Sequence, residues 1–275
     1  MKLIDPATKL MKPKPVGRIT RGTTAPNRLR RIDRWILNYE CSRLRTLDKP
    51  IVVDLGYGAT PITAVELRDR LHQHVSDSVQ VVGVEIDPLR VAQAQELADD
   101  MLTFISGGFE VPTSKPVALI RALNVLRQYE ENEVWPAWEK MANNLITGGL
   151  IVDGTCDEIG RRAVWVAIRK LESGEIAPET LTISTHLQSL DKPSDLAPRL
   201  PKILIHHNVA GEKIHQVLEQ LDIAWAKTSS AQTFGARQHW IAAMEFAKNN
   251  GLQIKDNQSR WRLGEVTIDW SAVGG

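Results

Sequence analysis

Residues 51–61 read Ile-Val-Val-Asp-Leu-Gly-Tyr-Gly-Ala-Thr-Pro. Three β-branched residues suited to a buried strand run into an acid, Asp54. Gly56 and Gly58 follow, two apart, and Pro61 opens an amphipathic segment. A strand, a glycine turn and a helix start suit a nucleotide-like ligand. Glycine lets backbone N–H groups approach it without a Cβ clash, and the helix N-terminus faces it. Pro61 suits a first helical turn, where its missing N–H costs nothing.

The next unit has the same plan. Val81-Val82-Gly83-Val84-Glu85-Ile86-Asp87-Pro88 is a second apolar run ending in an acid, again followed by a proline-opened helix. In a doubly wound sheet Glu85 then stands at the carboxyl end of the neighbouring strand, where a carboxylate can accept both ribose hydroxyls. The nicotinamide-type fingerprint asks for a third glycine where Pro61 stands and for an acid about 20 residues on. The glycine is missing and Glu85 lies further away. Together these segments resemble the Rossmann-like (class I) S-adenosylmethionine-dependent methyltransferases, whose first motif is an acid followed by spaced glycines. The resemblance covers residues 50–155. It implies an α/β fold with a doubly wound, mostly parallel seven-stranded sheet, and S-adenosylmethionine as cofactor. It also implies a site in which Asp54, Gly56, Tyr57 and Gly58 line the methionine end, Glu85 binds the ribose and Ile86 lies against the adenine.

Further along, Leu102-Thr103-Phe104-Ile105 is expected as the third strand, followed by Ser106-Gly107-Gly108-Phe109-Glu110. Methyltransferases commonly carry an acid in this loop for the adenine amino group. Here glycines stand in its place, so the backbone around Gly108 and Phe109 is the candidate contact. The fourth strand, 117–120, runs into Arg121-Ala122-Leu123-Asn124-Val125-Leu126-Arg127-Gln128-Tyr129, at the carboxyl edge where open α/β sheets bind ligands. Arg121 and Asn124 are candidate cofactor contacts, and Asn124 could equally cap the next turn. A helix over 131–145, Gly148-Gly149 and a fifth strand at 150–154 follow. Thr155 or Asp157 then starts a helix running to about Leu171, and 181–185 alternates as a sixth strand should.

An antiparallel last strand, placed between the fifth and sixth, is expected at 265–270, with 202–207 as the alternative. The first choice leaves 188–260 as an insertion far beyond ordinary loop length, so it must hold structure of its own. Residues 211–226 and 233–249 have helical patterns. The insertion leaves from the ligand-binding edge and is expected to act as a substrate lid. It carries His206, His207, His215 and His239, with Arg199, Arg237, Trp225 and Trp240. The histidine spacing matches no metal signature, so no metal is expected. The tryptophans read as core, and one histidine as a substrate-contacting base, because imidazole titrates near neutrality.

The 275 residues are 43% hydrophobic and 24% charged, globular values with room for a large core. No apolar run is long enough to span a bilayer, and the first lysines precede no apolar signal core. Cys41 and Cys156 make no disulfide framework, and the expected location is cytoplasmic. The net charge of +1 conceals an asymmetry: residues 1–45 hold four lysines and eight arginines against Asp5, Asp33 and Glu40. Thr24 is expected to cap a helix running to about Leu47, with Pro26 in its first turn. On a helical wheel Leu29, Ile32, Trp35, Ile36, Tyr39 and Leu47 share one face, and Arg30, Arg31, Arg34 and Arg45 the other. The second face is either solvated or a phosphate-binding surface for RNA or DNA. Arg21, just before this helix, is a candidate partner for the cofactor's carboxylate.

The expected organisation is a flexible basic arm (1–24), a core with its N-terminal helix (25–187), a helical insertion or lid (188–260), and a final strand with tail (261–275). The implied activity is methyl transfer, with a small molecule or protein side chain preferred as acceptor, because only the arm is basic and stacking aromatics are few. The alternatives are an RNA methyltransferase using Arg30, Arg31 and Arg34, a nicotinamide-dependent oxidoreductase, and a non-catalytic protein that keeps the cofactor fold. No catalytic residue is singled out, since in-line attack on a sulfonium methyl rests on positioning and desolvation.

Overall fold

The computed structural model describes residues 14–22 and 24–274; the expectations for residues 1–13 and Thr23 lie outside them. Regular structure begins with α1 (Arg30–Thr46). It continues through β1 (Ile51–Leu55), α2 (Ile62–His74), β2 (Gln80–Glu85), α3 (Pro88–Ala94), β3 (Leu102–Ser106), β4 (Val117–Leu123), α4 (Val134–Ala142) and β5 (Leu145–Cys156). After β6 (Arg162–Lys170) and β7 (Ile176–Thr185) come α5 (Lys202–Ile205), α6 (Lys213–Lys227), α7 (Ala236–Asn249), α8 (Gln258–Trp261) and β8 (Glu265–Asp269). The strands form one sheet in the order β3-β2-β1-β4-β5-β6-β7-β8. From β3 to β5 all neighbours are parallel, and from β5 to β8 all are antiparallel. Among the described residues no helix is long and apolar enough to cross a membrane.

Eight strands rather than seven form because one segment departs from the expectation. The helix expected over 155–171 is instead the β5–β6 hairpin. Asp157 does not cap a helix: its carboxylate accepts the backbone N–H groups of Arg161 (2.8 Å) and Arg162 (3.1 Å) and so closes the hairpin turn. Along β6, Ala163, Trp165 and Ala167 enter the core on one face, while Val164, Val166 and Ile168 enter the core on the other. The segment is therefore apolar throughout, which hides its period of two. β6 takes the antiparallel position beside β5 that was expected of the last strand. The 265–270 strand does form, as β8, but pairs antiparallel with the outer side of β7. The alternative at 202–207 is the short helix α5.

Helices cover both faces. α1, α2 and α3 pack on one, burying Ile32, Trp35, Ile36, Leu67 and Leu71, each worth about 1.5–3 kcal/mol by area. α4, α6 and α7 pack on the other, where Leu218, Leu221, Trp240 and Met244 join Val166, Ile168 and Leu181. Residues 188–260 thus build the layer over the antiparallel half of the sheet, and from them Arg199 reaches its ligand-binding edge. α1 starts at Arg30, later than expected, because Asn27 (φ 60°) interrupts the helical path after Pro26. Its arginine face is not solvated throughout either. Arg31 donates to Ser184 Oγ (3.3 Å) and the Leu263 carbonyl (3.1 Å), Arg45 donates to the His74 carbonyl at the end of α2 (2.6 Å), and Arg34 faces Glu265. Of the three proposed phosphate contacts only Arg30 is exposed.

Buried charge joins these layers. Arg121, paired across the sheet with Asp54, is fully buried. Its guanidinium meets Asp54 (2.8 and 3.0 Å), Asp33 of α1 and the Thr63 carbonyl of α2 (2.9 Å). Burial pulls its pKa down, but Asp33 and Asp54 outweigh that and hold it above the ordinary value. Removing one partner of a buried pair costs about 3–5 kcal/mol. Arg121→Met is therefore expected to lower unfolding free energy by about that amount in a urea titration; a loss below about 1 kcal/mol would refute the cluster's role.

Asp153 in β5 is buried, and its carboxylate accepts Trp138 Nε1–H at 3.1 Å. Burial raises its pKa to about 7, against the opposing hydrogen bonds from Trp138 and Gly154. The unfolded chain releases this proton near pH 4 and the folded chain keeps it, so stability falls as pH rises from about 4 to about 7. The stability of Asp153→Asn relative to the parent should therefore grow across that interval and level off above it. Chemical denaturation at pH 5 and pH 8 measures this, and a difference independent of pH would exclude it.

Candidate functional site

β1 is flanked by β2 on one side and β4 on the other, and the chain leaves it in opposite directions. Open α/β sheets bind ligands outside the carboxyl ends at such a switch point. There the structure has a cavity of about 560 Å³. Its floor is the turn at 54–58 after β1, with Leu123 and Asn124 after β4. Its rim comes from Thr20, Arg21 and Gly22 of the arm, Arg28, Arg127, Cys156 and Glu158, and Arg199 from the segment after β7.

The glycine turn is shaped by a backbone crossing. Gly58 has φ 89°, and a Cβ there would lie 2.9 Å from the Gly22 carbonyl. That carbonyl accepts the Ala59 N–H at 2.9 Å. Gly58 N–H donates to Glu85 Oε2 (3.0 Å), while Glu85 Oε1 accepts from Ile86 N (3.0 Å) and Asp87 N (3.2 Å). Glu85 is 1% exposed. Beside it lies a second pocket of only about 20 Å³, walled by Glu85, Ile86, Gly108, Phe109 and Tyr129 and roofed by Val16, Gly17 and Arg18.

That roof is the described part of the arm, which is bound to the body along its length. Val16 N–H donates to Glu110 (2.8 Å), and the Val16 carbonyl accepts Phe109 N–H (2.9 Å). A Cβ on Gly108 would strike that same carbonyl at 2.0 Å, so glycine is required for the strap to pass. Arg18 donates its N–H to Tyr129 Oη, pairs with Glu133 (2.8 Å) and lies over the Tyr129 ring (4.7 Å). Arg90 holds the Thr20 carbonyl at 3.0 Å.

Of the residues singled out by sequence, Arg21, Asp54, Gly56, Tyr57, Gly58 and Asn124 line the larger cavity, and Glu85, Ile86, Gly108 and Phe109 the smaller. The two adjoin through Thr20, Leu55 and Gly56. Arg121 is the exception. It lies beneath the floor and all its partners are in the buried charge cluster, so it offers nothing to a ligand. Asp54 is committed in the same direction, accepting Thr63 Oγ1 at 2.7 Å as well as Arg121. The Tyr57 ring packs edge-on against Phe104 (5.5 Å).

Asn124 has φ 62°, a conformation Asn tolerates better than most residues. Its Oδ1 accepts Cys156 N–H (3.0 Å) and its Nδ2 donates to Cys156 Sγ (3.2 Å), locking the end of β4 to that of β5. Burial pushes the Cys156 thiol up. Among the described residues no histidine lines either pocket. His239 stacks on Trp225 (3.5 Å) and donates to its carbonyl (2.8 Å), and His207 binds Glu131 (2.7 Å). The expected histidine base and tryptophan-walled lid are therefore not formed here. Thr20, Arg28, Arg127, Gln128 and Glu158 line the cavity without having been singled out; Arg127, Gln128 and Glu158 follow the ends of β4 and β5, whereas Thr20 and Arg28 precede α1 and carry no such signal.

No protein-family model matches the chain, and no curated protein matches it. Solved structures do. Magnesium protoporphyrin IX methyltransferase from Synechocystis PCC 6803, solved with bound SAH, is 17% identical, with a TM-score of 0.34, over 46% of this chain and 54% of that one. A putative methyltransferase from an antibiotic biosynthesis pathway of Anabaena variabilis ATCC 29413 is 22% identical, with a TM-score of 0.34, over 48% and 49%. A putative protein-L-isoaspartate O-methyltransferase from Plasmodium falciparum, in complex with S-adenosyl-L-homocysteine, is 13% identical, with a TM-score of 0.33, over 52% and 68%. The chain spans about half the length of the first two.

Tyr129→Phe keeps the ring under Arg18 but removes the acceptor of its N–H, a loss of about 1 kcal/mol. Amide exchange of Arg18 should quicken about fivefold, while β1 stays protected. Unchanged exchange at Arg18 would show that the strap is held elsewhere.

Proposed function

We propose that the chain is an S-adenosylmethionine-dependent methyltransferase acting on a small molecule. The observation that carries this reading is Glu85 at the carboxyl end of β2, within 3.0 Å of the Gly58 N–H at the switch point, with the 560 Å³ cavity alongside. A buried, acceptor-only carboxylate is what a ribose diol requires, and the volume lies within the range of about 300–1,000 Å³ usual for small ligands. A dinucleotide would set its pyrophosphate at the first turn of α2. Here that turn carries Thr63, whose hydroxyl donates to Asp54, and the third glycine of the dinucleotide fingerprint is missing.

In this reading Arg21 pairs with the cofactor's carboxylate, Gly56 and Gly58 present their backbone to its methionine end, and Ile86 and Phe109 flank its adenine. The bound cofactor supplies an electrophilic sulfonium methyl for an acceptor nucleophile. The chain contributes position and exclusion of water, which suits a transfer that rests on alignment. Because Gly17 lies among Ile86, Phe109 and Tyr129, adenosine reaches this pocket only when the strap at 16–18 shifts. The RNA alternative loses support from the docking of Arg31 and Arg34 against the body.

Calorimetric titration tests the reading. S-adenosylhomocysteine should bind and NAD should not. Glu85→Gln should weaken S-adenosylhomocysteine about tenfold or more, since hydrogen bonds to a charged group are worth about 1.5–3 kcal/mol each. Binding of NAD alone, or an unchanged dissociation constant in Glu85→Gln, would overturn it.

A further inference from the structure

The cavity's rim carries more positive charge than the cofactor can use. Arg21, Arg28, Arg127 and Arg199 reach it from four separate segments: the arm, the turn before α1, the loop after β4 and the end of the turn Pro193–Arg199. Two carboxylates share the cavity wall, Asp54 and Glu158. Asp54 is neutralised from below by Arg121. Glu158 is exposed, and its own backbone N–H and then Arg199, Arg28 and Arg127 hold its pKa below the usual range. Arg28 donates to the Asp157 carbonyl at 2.9 Å.

The guanidinium groups of Arg21, Arg127 and Arg199 make no hydrogen bond or ion pair among the described residues, and they repel one another. Arg127 is pulled below its ordinary pKa by burial and then by Arg199 and Arg21. Like charges gathered at one concave site are unfavourable until an anion joins them. One guanidinium suffices for an amino-acid carboxylate, whose own ammonium cancels its charge. The planar forks of the others match phosphate or carboxylate oxygens.

We infer that the acceptor is a compact small molecule carrying at least two negative charges, a phosphate monoester or a polycarboxylate, held by Arg127 and Arg199. The word acceptor rests on the methyltransferase reading; the anion site itself does not. Four chain segments closing on one cavity favour a compact ligand over a polymer that must run along a surface.

Inorganic pyrophosphate and citrate are the probes, titrated calorimetrically against sodium chloride of matched ionic strength, in the full-length protein and in Arg127→Ala/Arg199→Ala. At least one probe should bind with one site per chain, and the double variant should weaken it about tenfold or more per guanidinium removed. Pyrophosphate alone points to the phosphate, citrate alone to the polycarboxylate, and either supports the proposal. The variant should melt close to the parent, because it loses like-charge repulsion and an attraction to the exposed Glu158 but no hydrogen bond or ion pair. Equal binding by parent and variant, or none by either, overturns the anion site. S-adenosylhomocysteine titrated into the same samples separates the two ideas. If it binds while neither anion does, the anionic acceptor falls and the methyltransferase reading stands; if the anions bind and it does not, the acceptor role falls with that reading. Salt-sensitive binding of total tRNA, lost in the double variant, would overturn the small-molecule acceptor.

Discussion

Asp33, Arg121 and Asp54 form the constraint on which the rest depends. One guanidinium, closed off from water, joins α1, β1, β4 and α2 at the level where the sheet ends and the cavity begins. Arg70 adds a second cation to Asp33 and reaches Glu66 (3.2 Å) and Asn27 (2.9 Å), so the turn before α1 is tied to the same group. An uncompensated charge in that place is costly enough to forbid partial versions of the arrangement. The acid of the glycine motif is thereby an anchor of the turn, its carboxylate bonded to Arg121 and Thr63, and the turn presents its backbone to the cavity above it.

The parallel half of the fold was legible because its signals are local. Each of β1 and β2 is a short apolar run bounded by glycine and proline, and the acid at the end of each marks the carboxyl edge. The antiparallel half was not. β6 is covered by Trp35 on one side and by the α6–α7 layer on the other, so its composition shows neither polarity nor period. Length and a preceding Asp then favour a helix. The misplacement of the last strand follows from that error: once a hairpin occupies the position beside β5, β8 has only the outer side of β7 to pair with. The helical patterns of α6 and α7 were read well, since each has one apolar stripe, but nothing local says which surface such a stripe will cover.

The site was legible where position along the sheet decides it and illegible where charge does. Counting charges made the first 45 residues a basic arm. In the fold two of its acids are buried partners: Glu40 sits between Arg43 (2.6 Å) and Arg169 (2.7 Å), and Asp33 beneath Arg121 and Arg70. Of the cavity's guanidinium groups that make no hydrogen bond or ion pair among the described residues, Arg21 belongs to that stretch, but Arg127 and Arg199 stand where net charge gives no sign of them. Sequence shows how many charges a segment has, and only tertiary structure shows which of them are left over.

The strap at 14–22 sets a conformational toll on binding. Any ligand that needs the space between Ile86 and Phe109 competes with Gly17 for it, so its apparent affinity is its intrinsic affinity multiplied by the fraction of molecules in which the strap is open. A strap open in about one molecule in a hundred weakens binding about a hundredfold without touching a single ligand contact. Because Arg18 is anchored on Tyr129 in the pocket wall and on Glu133 outside it, the strap's position can be tuned from Glu133, which lines neither pocket. The same segment continues into Arg21 and Gly22 in the wall of the larger cavity. Opening one compartment therefore disturbs the other, and two ligands bound there are coupled in free energy through the backbone that separates them.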